Sequence, residues 1–257
     1  MNLIYELNPP KILNSHRIDI TLLNQELIKF LNRAKIISNF TNYIHITDSV
    51  LGIPRFSSIH AAQLIMNNLT NTSLNMSCSV RTRDRNMNSI IQMVTDAIIL
   101  KISGLLFIQG DKPAFEESEK ASSLSNPTDV VKLLTSIGFD KLIDLDLSIP
   151  NKVSNHKLFQ KKIDSKPQRF ITQSINSIQE IRDLKDLMKP NHIKLIPCIM
   201  VPSIKNERAA AVIGLDWREY QDNFLGFLKE VHKETESILI TSPNSFDEGI
   251  EVLKNLA

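Results

Sequence analysis

With 257 residues, 42% of them apolar, the chain can fill one large hydrophobic core. A formal net charge of +2, from 30 basic and 28 acidic residues, makes no demand for nucleic acid or a membrane surface as partner. Its two cysteines, Cys78 and Cys198, lack Cys-x-x-Cys spacing, which argues against a disulfide framework or a structural zinc site and fits a reducing cytoplasm.

Only 7 glycines are present, and neither G-x-G-x-x-G nor G-x-x-x-x-G-K occurs, so a Rossmann or P-loop nucleotide site has no support. The chain opens directly on the apolar run Leu3-Ile4-Tyr5, without the basic lead of a signal peptide. No uncharged apolar run approaches the roughly 20 residues of a membrane span, so the expected location is cytoplasmic.

In chain order, strand-like apolar runs alternate with helical patterns. A strand at 3–7 precedes a helix at 20–37, which carries Leu23, Leu27, Leu31 and Ala34 at three- and four-residue steps. Strands at 43–47, 74–80, 104–108, 141–147, 169–173, 193–199 and 237–241 follow. Helices are predicted between and after them at 58–67, 88–101, 129–137, 156–164, 177–188, 219–233 and 245–256. Asp129 is the expected N-cap of one helix, and Ser245 with Glu248 the expected capping box of the last.

Eight strands, each followed by a helix, imply parallel neighbours joined by crossovers. Closing the eight into a barrel removes both sheet edges. The predicted fold is therefore a single α/β domain over 1–257, a (β/α)8 TIM barrel. The Ser-rich stretch 118–127 reads as a loop or lid, and the lysine-rich stretch 152–166 as a solvated helix face.

Barrels carry chemistry at the C-terminal ends of their strands. Those ends supply Glu6, Thr47 with Asp48, the run 79–85, Gln109 to Asp111, Ser148, Thr172 with Gln173, Pro202 with Ser203, and Asn244. Glu6 and Asp111 share one structural station: each stands where an apolar run meets a proline-bearing loop. Arg81, Arg83 and Arg85 on alternate positions either clamp a phosphate or form an ion-paired loop with Asp84. The six histidines are scattered, and no elbow motif marks a nucleophilic serine.

Five short motifs in order carry a family resemblance: Tyr5-Glu6-Leu7-Asn8-Pro9-Pro10, Ile46-Thr47-Asp48, Arg83-Asp84-Arg85-Asn86, Gly110-Asp111-Lys112-Pro113 and Ile171-Thr172-Gln173. Together they resemble the methylenetetrahydrofolate reductase family over essentially the whole chain. The resemblance implies a barrel holding FAD (or FMN) at its mouth, reduced by NADH or NADPH, that converts methylenetetrahydrofolate to methyltetrahydrofolate in one-carbon metabolism.

By that resemblance Glu6 is the general acid, Asp111 anchors the pterin and influences the flavin, and Gln173 contacts folate. Thr47, Ser79, Arg81, Gly110, Asp111 and Lys162 fall at flavin-contacting positions. A raised pKa would suit Glu6 to its role, and Leu3, Ile4, Tyr5 and Leu7 supply an apolar setting. The chain departs from the family pattern at Ser79, Gln109, Asn155 and the segment Ser148-Ile149-Pro150-Asn151. Those departures motivate the alternative of a pterin-binding barrel subunit without tightly held flavin, dependent on a partner or assembling as a homo-oligomer.

Overall fold

The computed structural model describes residues 1–14, 17–69, 73–112, 126–189 and 191–256. Three features of the sequence reading lie outside these residues: Pro113, His16 and most of the expected lid.

Eight parallel strands close into a barrel in chain order: Asn2–Leu7, Tyr43–Ile46, Asn75–Arg81, Gly104–Ile108, Asp144–Ile149, Arg169–Ser174, Lys194–Met200 and Ser237–Thr241. The barrel closes where the first strand pairs with the last, Ile4 beside Leu239. The outer layer comprises helices α1 (Ile20–Ile37), α2 (Ser58–Asn68), α3 (Met87–Ile99), α4 (Pro127–Ser136), α5 (His156–Asp164), α6 (Ile178–Met188), α7 (Glu207–Ile213), α8 (Phe224–Glu234) and α9 (Phe246–Leu256). A two-residue hairpin, Leu13–Asn14 with Arg17–Ile18, precedes α1.

Strand alternation divides the core in two. Outward-facing Ile44, Ile46, Val80, Phe107, Leu147, Phe170 and Ile240 pack with helix residues such as Ala34, Ile65, Val94 and Leu228, all fully enclosed. Each such aliphatic side chain contributes about 1.5–3 kcal/mol of burial free energy. Inward-facing Ile4, Leu106, Ile171, Ile196, Cys198 and Leu239 form a smaller cluster within the barrel.

The rest of the interior is polar. His45 is hydrogen-bonded by both ring nitrogens, Nδ1 to Ser77 Oγ at 2.8 Å and Nε2 to Ser79 Oγ at 2.9 Å. Below it, Arg169 Nε donates to both oxygens of Asp146 at 2.9 and 3.0 Å, and Arg169 Nη1 donates to the Tyr43 hydroxyl. A Cβ on Gly104 would come within 2.3 Å of Arg169 Nη2, so this strand start has room only for glycine.

Several points differ from the sequence reading, among them the helix expected at 219–233, which begins only at Phe224. The fifth strand begins at Asp144, not 141, because Gly138 (φ +91°) opens a 3-10 turn over Phe139–Lys141. Helix α4 begins earlier, capped by Asn126 with Pro127 in its first turn, so Asp129 lies inside the first turn and is not the cap. Helix α7, which the periodicity did not predict, is seven residues long and too short to show a helical repeat.

Candidate functional site

At the C-terminal face the first strand ends in Glu6 and Leu7. Ile4 points into the barrel, so Glu6, two residues on, faces the same way. Its Oε1 accepts a hydrogen bond from Thr241 Oγ1 at 2.7 Å, across the closing seam. Burial pushes the Glu6 carboxyl above the usual carboxylate range, while the Thr241 bond and the Arg55 charge pull the other way. Beside it, Thr47 Oγ1 donates to Asn8 Oδ1 at 2.6 Å, and the buried Cys198 thiol is pushed up by burial.

Arg81, predicted at a cofactor, is only 1% exposed and is committed to the protein. Its guanidinium donates to the carbonyls of Ser49 and Asp111, both at 3.0 Å, and pairs with Asp84 at 3.2 Å. Its backbone N–H donates to Asp48, which also pairs with Arg85 at 2.7 Å. Arg83 Nε donates to the Gly110 carbonyl. The ion-paired reading of the three arginines therefore prevails over the phosphate clamp: they fasten three strand-end loops together.

Gly110 adopts φ +79° directly against the Arg81 side chain. Asp111 follows it, exposed at the end of this braced loop. Gln173 is also exposed, in a register shift between Ile171 and Ser174 of the sixth strand. Bulges of this kind re-aim side chains near barrel mouths. Half-buried Lys162 on α5 donates to the Ser148 carbonyl, and burial lowers its pKa. Ser79 is enclosed within the barrel and bonded to His45.

The structure thus joins Glu6 to Thr241 and Thr47 to Asn8, removes Ser79 and Arg81 from the accessible mouth, and leaves Asp111 and Gln173 on its rim. Sequence reasoning missed Thr241 as the partner of Glu6, because the two are 235 residues apart and meet only through barrel closure. It also missed Arg55, a lone arginine in a loop with no motif around it.

Two cavities accompany this arrangement. The larger, about 730 Å³, opens on the opposite, N-terminal face, lined by Asn2, Tyr43, Arg169, Lys194 and Ser237 among others. Its cations are answered within the protein, as in Lys194–Glu236, Lys185–Glu234 and Arg169–Asp146, so it offers no uncommitted charge. The smaller, about 290 Å³, lies beside the loop that leaves Glu6.

No family model matches the chain, and no curated protein matches it in sequence. Among solved structures it is similar to a mutant tryptophan synthase alpha-subunit from the hyperthermophile Pyrococcus furiosus, with 9% identity, a TM-score of 0.61, and coverage of 99% of this chain and 96% of that one. It is also similar to a chain from a structure of the tryptophan synthase a2b2 complex from the same organism, with 10% identity, a TM-score of 0.56, and coverage of 99% and 95%. An aldolase follows, with 11% identity, a TM-score of 0.53, and coverage of 98% and 92%. At these identities the likeness shows the fold, a (β/α)8 barrel.

These findings correct the resemblance to the methylenetetrahydrofolate reductase family. The barrels found are of other kinds, and no match in sequence supports the folate enzyme. Reduction of methylenetetrahydrofolate, the pterin-binding alternative, bound FAD or FMN, and NADH or NADPH as donor fall with it. The residues agree: of the expected flavin contacts, Ser79 and Arg81 are enclosed and bonded to protein, and Lys162 is spent on a backbone carbonyl. They do not fit a flavin. Among the described residues, no helix is long and apolar enough to cross a membrane.

Proposed function

We propose that the chain is an enzyme that moves a proton to or from a small molecule held in the C-terminal mouth, with Glu6 as the carboxyl that carries it. One observation bears most of the weight. Glu6 faces inward at a strand end, fixed by the Thr241 hydroxyl at 2.7 Å, and burial raises its pKa. A carboxyl tuned upward holds its proton closer to neutral pH, which is what general acid–base work requires. The fixed Thr241 bond leaves Oε2 as the oxygen that faces the substrate.

The neighbours by fold, a synthase alpha-subunit and an aldolase, are enzymes, which supports the class. In this reading residues 1–257 act as one barrel domain on a small-molecule substrate. A partner subunit fits the same picture, since one neighbour was solved in its a2b2 complex. Exposed Ile204, Val212 and Ile213, around α7 beyond the seventh strand, would give such a partner an apolar surface.

The test has two parts. Carboxyl-labelled protein titrated by 13C NMR should show Glu6 ionising above the exposed glutamates, the assignment being made by loss of the signal in Glu6→Gln. Exchange of carbon-bound hydrogen with D2O, over a panel of small carbonyl compounds, should fall about 100-fold or more in Glu6→Gln, the usual worth of a positioned acid–base group. An ordinary Glu6 titration together with unchanged exchange in the variant would overturn the proposal.

A further inference from the structure

The cavity of about 290 Å³ beside the first strand is built from the loop after Glu6 and the start of α1. Asn8, Pro9, Pro10, Lys11, Arg33 and Arg55 are among its walls. The loop is zipped to the segment around Arg55: Phe56 N–H donates to the Pro10 carbonyl at 2.9 Å, Ile12 N–H donates to the Pro54 carbonyl at 3.0 Å, and Lys11 bridges Arg55. Arg55 Nη1 donates to the Pro9 carbonyl at 2.6 Å, which holds the guanidinium against the cavity. Its Nε is buried and meets no acceptor.

The cavity wall carries three cations, Lys11, Arg33 and Arg55, against two carboxylates, Asp19 and Glu26. Both acidic wall residues are engaged: Asp19 Oδ1 accepts the Leu22 N–H at the start of α1, and Glu26 pairs with Lys29 at 2.7 Å. Among the described residues, Lys11, Arg33 and Arg55 have no carboxylate within ion-pair contact. Arg33 is exposed and rests over the Phe246 ring at 5.1 Å. Lys11 and Arg33 are exposed to water, whereas Arg55 is half-buried, feels the Glu6 charge, and keeps an orphaned buried N–H that an oxyanion would fill.

We propose that this cavity is an anion site, which takes the phosphate or carboxylate end of a small molecule. Arginine forks suit oxyanions of either kind, through paired N–H donors. The volume equals roughly ten water molecules in the liquid, enough for an oxyanion and a short stem and too little for a dinucleotide. That the rest of the molecule reaches Glu6 rests on the proton-transfer reading above; the anion site itself does not.

Titration calorimetry with inorganic phosphate, and separately with malonate, at constant low ionic strength tests it. Saturable one-to-one binding of either is expected, and comparing the two tells which oxyanion the site prefers. Arg55→Met should weaken binding 10-fold or more, Arg55→Lys less, and the exposed Arg33→Ala about threefold. The Arg55 Nε–H resonance should shift on saturation. Binding of neither anion above chloride, or full binding by both Arg55→Met and Arg33→Ala, would overturn the site. If Arg55→Met does not fold, Arg33→Ala and the Nε–H shift still decide. Phosphate binding that persists in Glu6→Gln upholds the anion site whatever becomes of the acid.

Discussion

Gly110 stands at the point where the fourth strand hands over to the loop bearing Asp111, and Gly110→Ala should damage the fold well beyond the ordinary cost of its backbone. A Cβ there would lie 2.8 Å from both Cγ and Nε of Arg81. Arg81 has no free path to yield, because its guanidinium is bonded to the Ser49 and Asp111 carbonyls and to Asp84. The positive φ of +79° costs an alanine about 1–2 kcal/mol. Displacing Arg81 adds the loss of at least one charged hydrogen bond, about 1.5–3 kcal/mol.

Gly138 is the control. It has φ +91° with nothing within 4 Å of a Cβ, so Gly138→Ala carries the backbone term alone. Urea unfolding should therefore place Gly110→Ala about 2 kcal/mol below Gly138→Ala, and thermal melts about 4–8 °C lower for a domain of this size. The amides of Thr82 and Arg83, which donate to the Ile108 and Gln109 carbonyls, should exchange faster in Gly110→Ala only. Equal losses in the two variants would refute the brace.

Other expectations follow from the polar interior. Arg169→Ala strands the fully enclosed Asp146 and should cost about 3–5 kcal/mol in urea unfolding. Burial already lifts Asp146 to about 6, so its contribution to stability is complete below about pH 4 and is lost as pH rises to that value. Without Arg169 the loss should continue through neutral pH; a flat profile there would count against the pairing. Burial lowers His45 to about 3, so its contribution is present above the ordinary histidine range and is lost as pH falls. Between pH 6.5 and 4 the wild type should lose about 3 kcal/mol that His45→Gln keeps, read as the difference in their unfolding midpoints. Cys78 and Cys198 are buried, with thiols pushed up by burial, so a disulfide-exchange reagent should label neither until the protein unfolds.

The barrel was legible in the sequence because its two periods are strong. Runs such as Ile44 to Ile46 and Leu105 to Phe107 could pack only as enclosed strands, and helix faces such as Leu27, Leu31 and Ala34 needed a sheet to cover. What the periods do not encode is where a turn with unusual dihedrals delays a strand, as Gly138 does before Asp144. They also miss a helix as short as Glu207–Ile213, and partners that meet only on closure, such as Glu6 and Thr241.

The motifs behind the family resemblance have a structural explanation in the loops themselves. Gly110 is required by its backbone angle and by Arg81 packed against it. Asp48, Arg81, Arg83 and Arg85 pin the loops after the second, third and fourth strands to one another. Pro9 and Pro10 present carbonyls to Arg55 and Phe56. Residues selected to brace strand ends can recur wherever parallel strands end in tight loops, so such motifs report barrel architecture more directly than reaction type. Glu6 escapes that explanation: its carboxyl braces no loop, is raised by burial, and receives a single hydroxyl bond. A side chain costly to enclose and unneeded by the scaffold is the one on which the proposed proton transfer rests, and Arg55, whose charge acts on it, lies beside it.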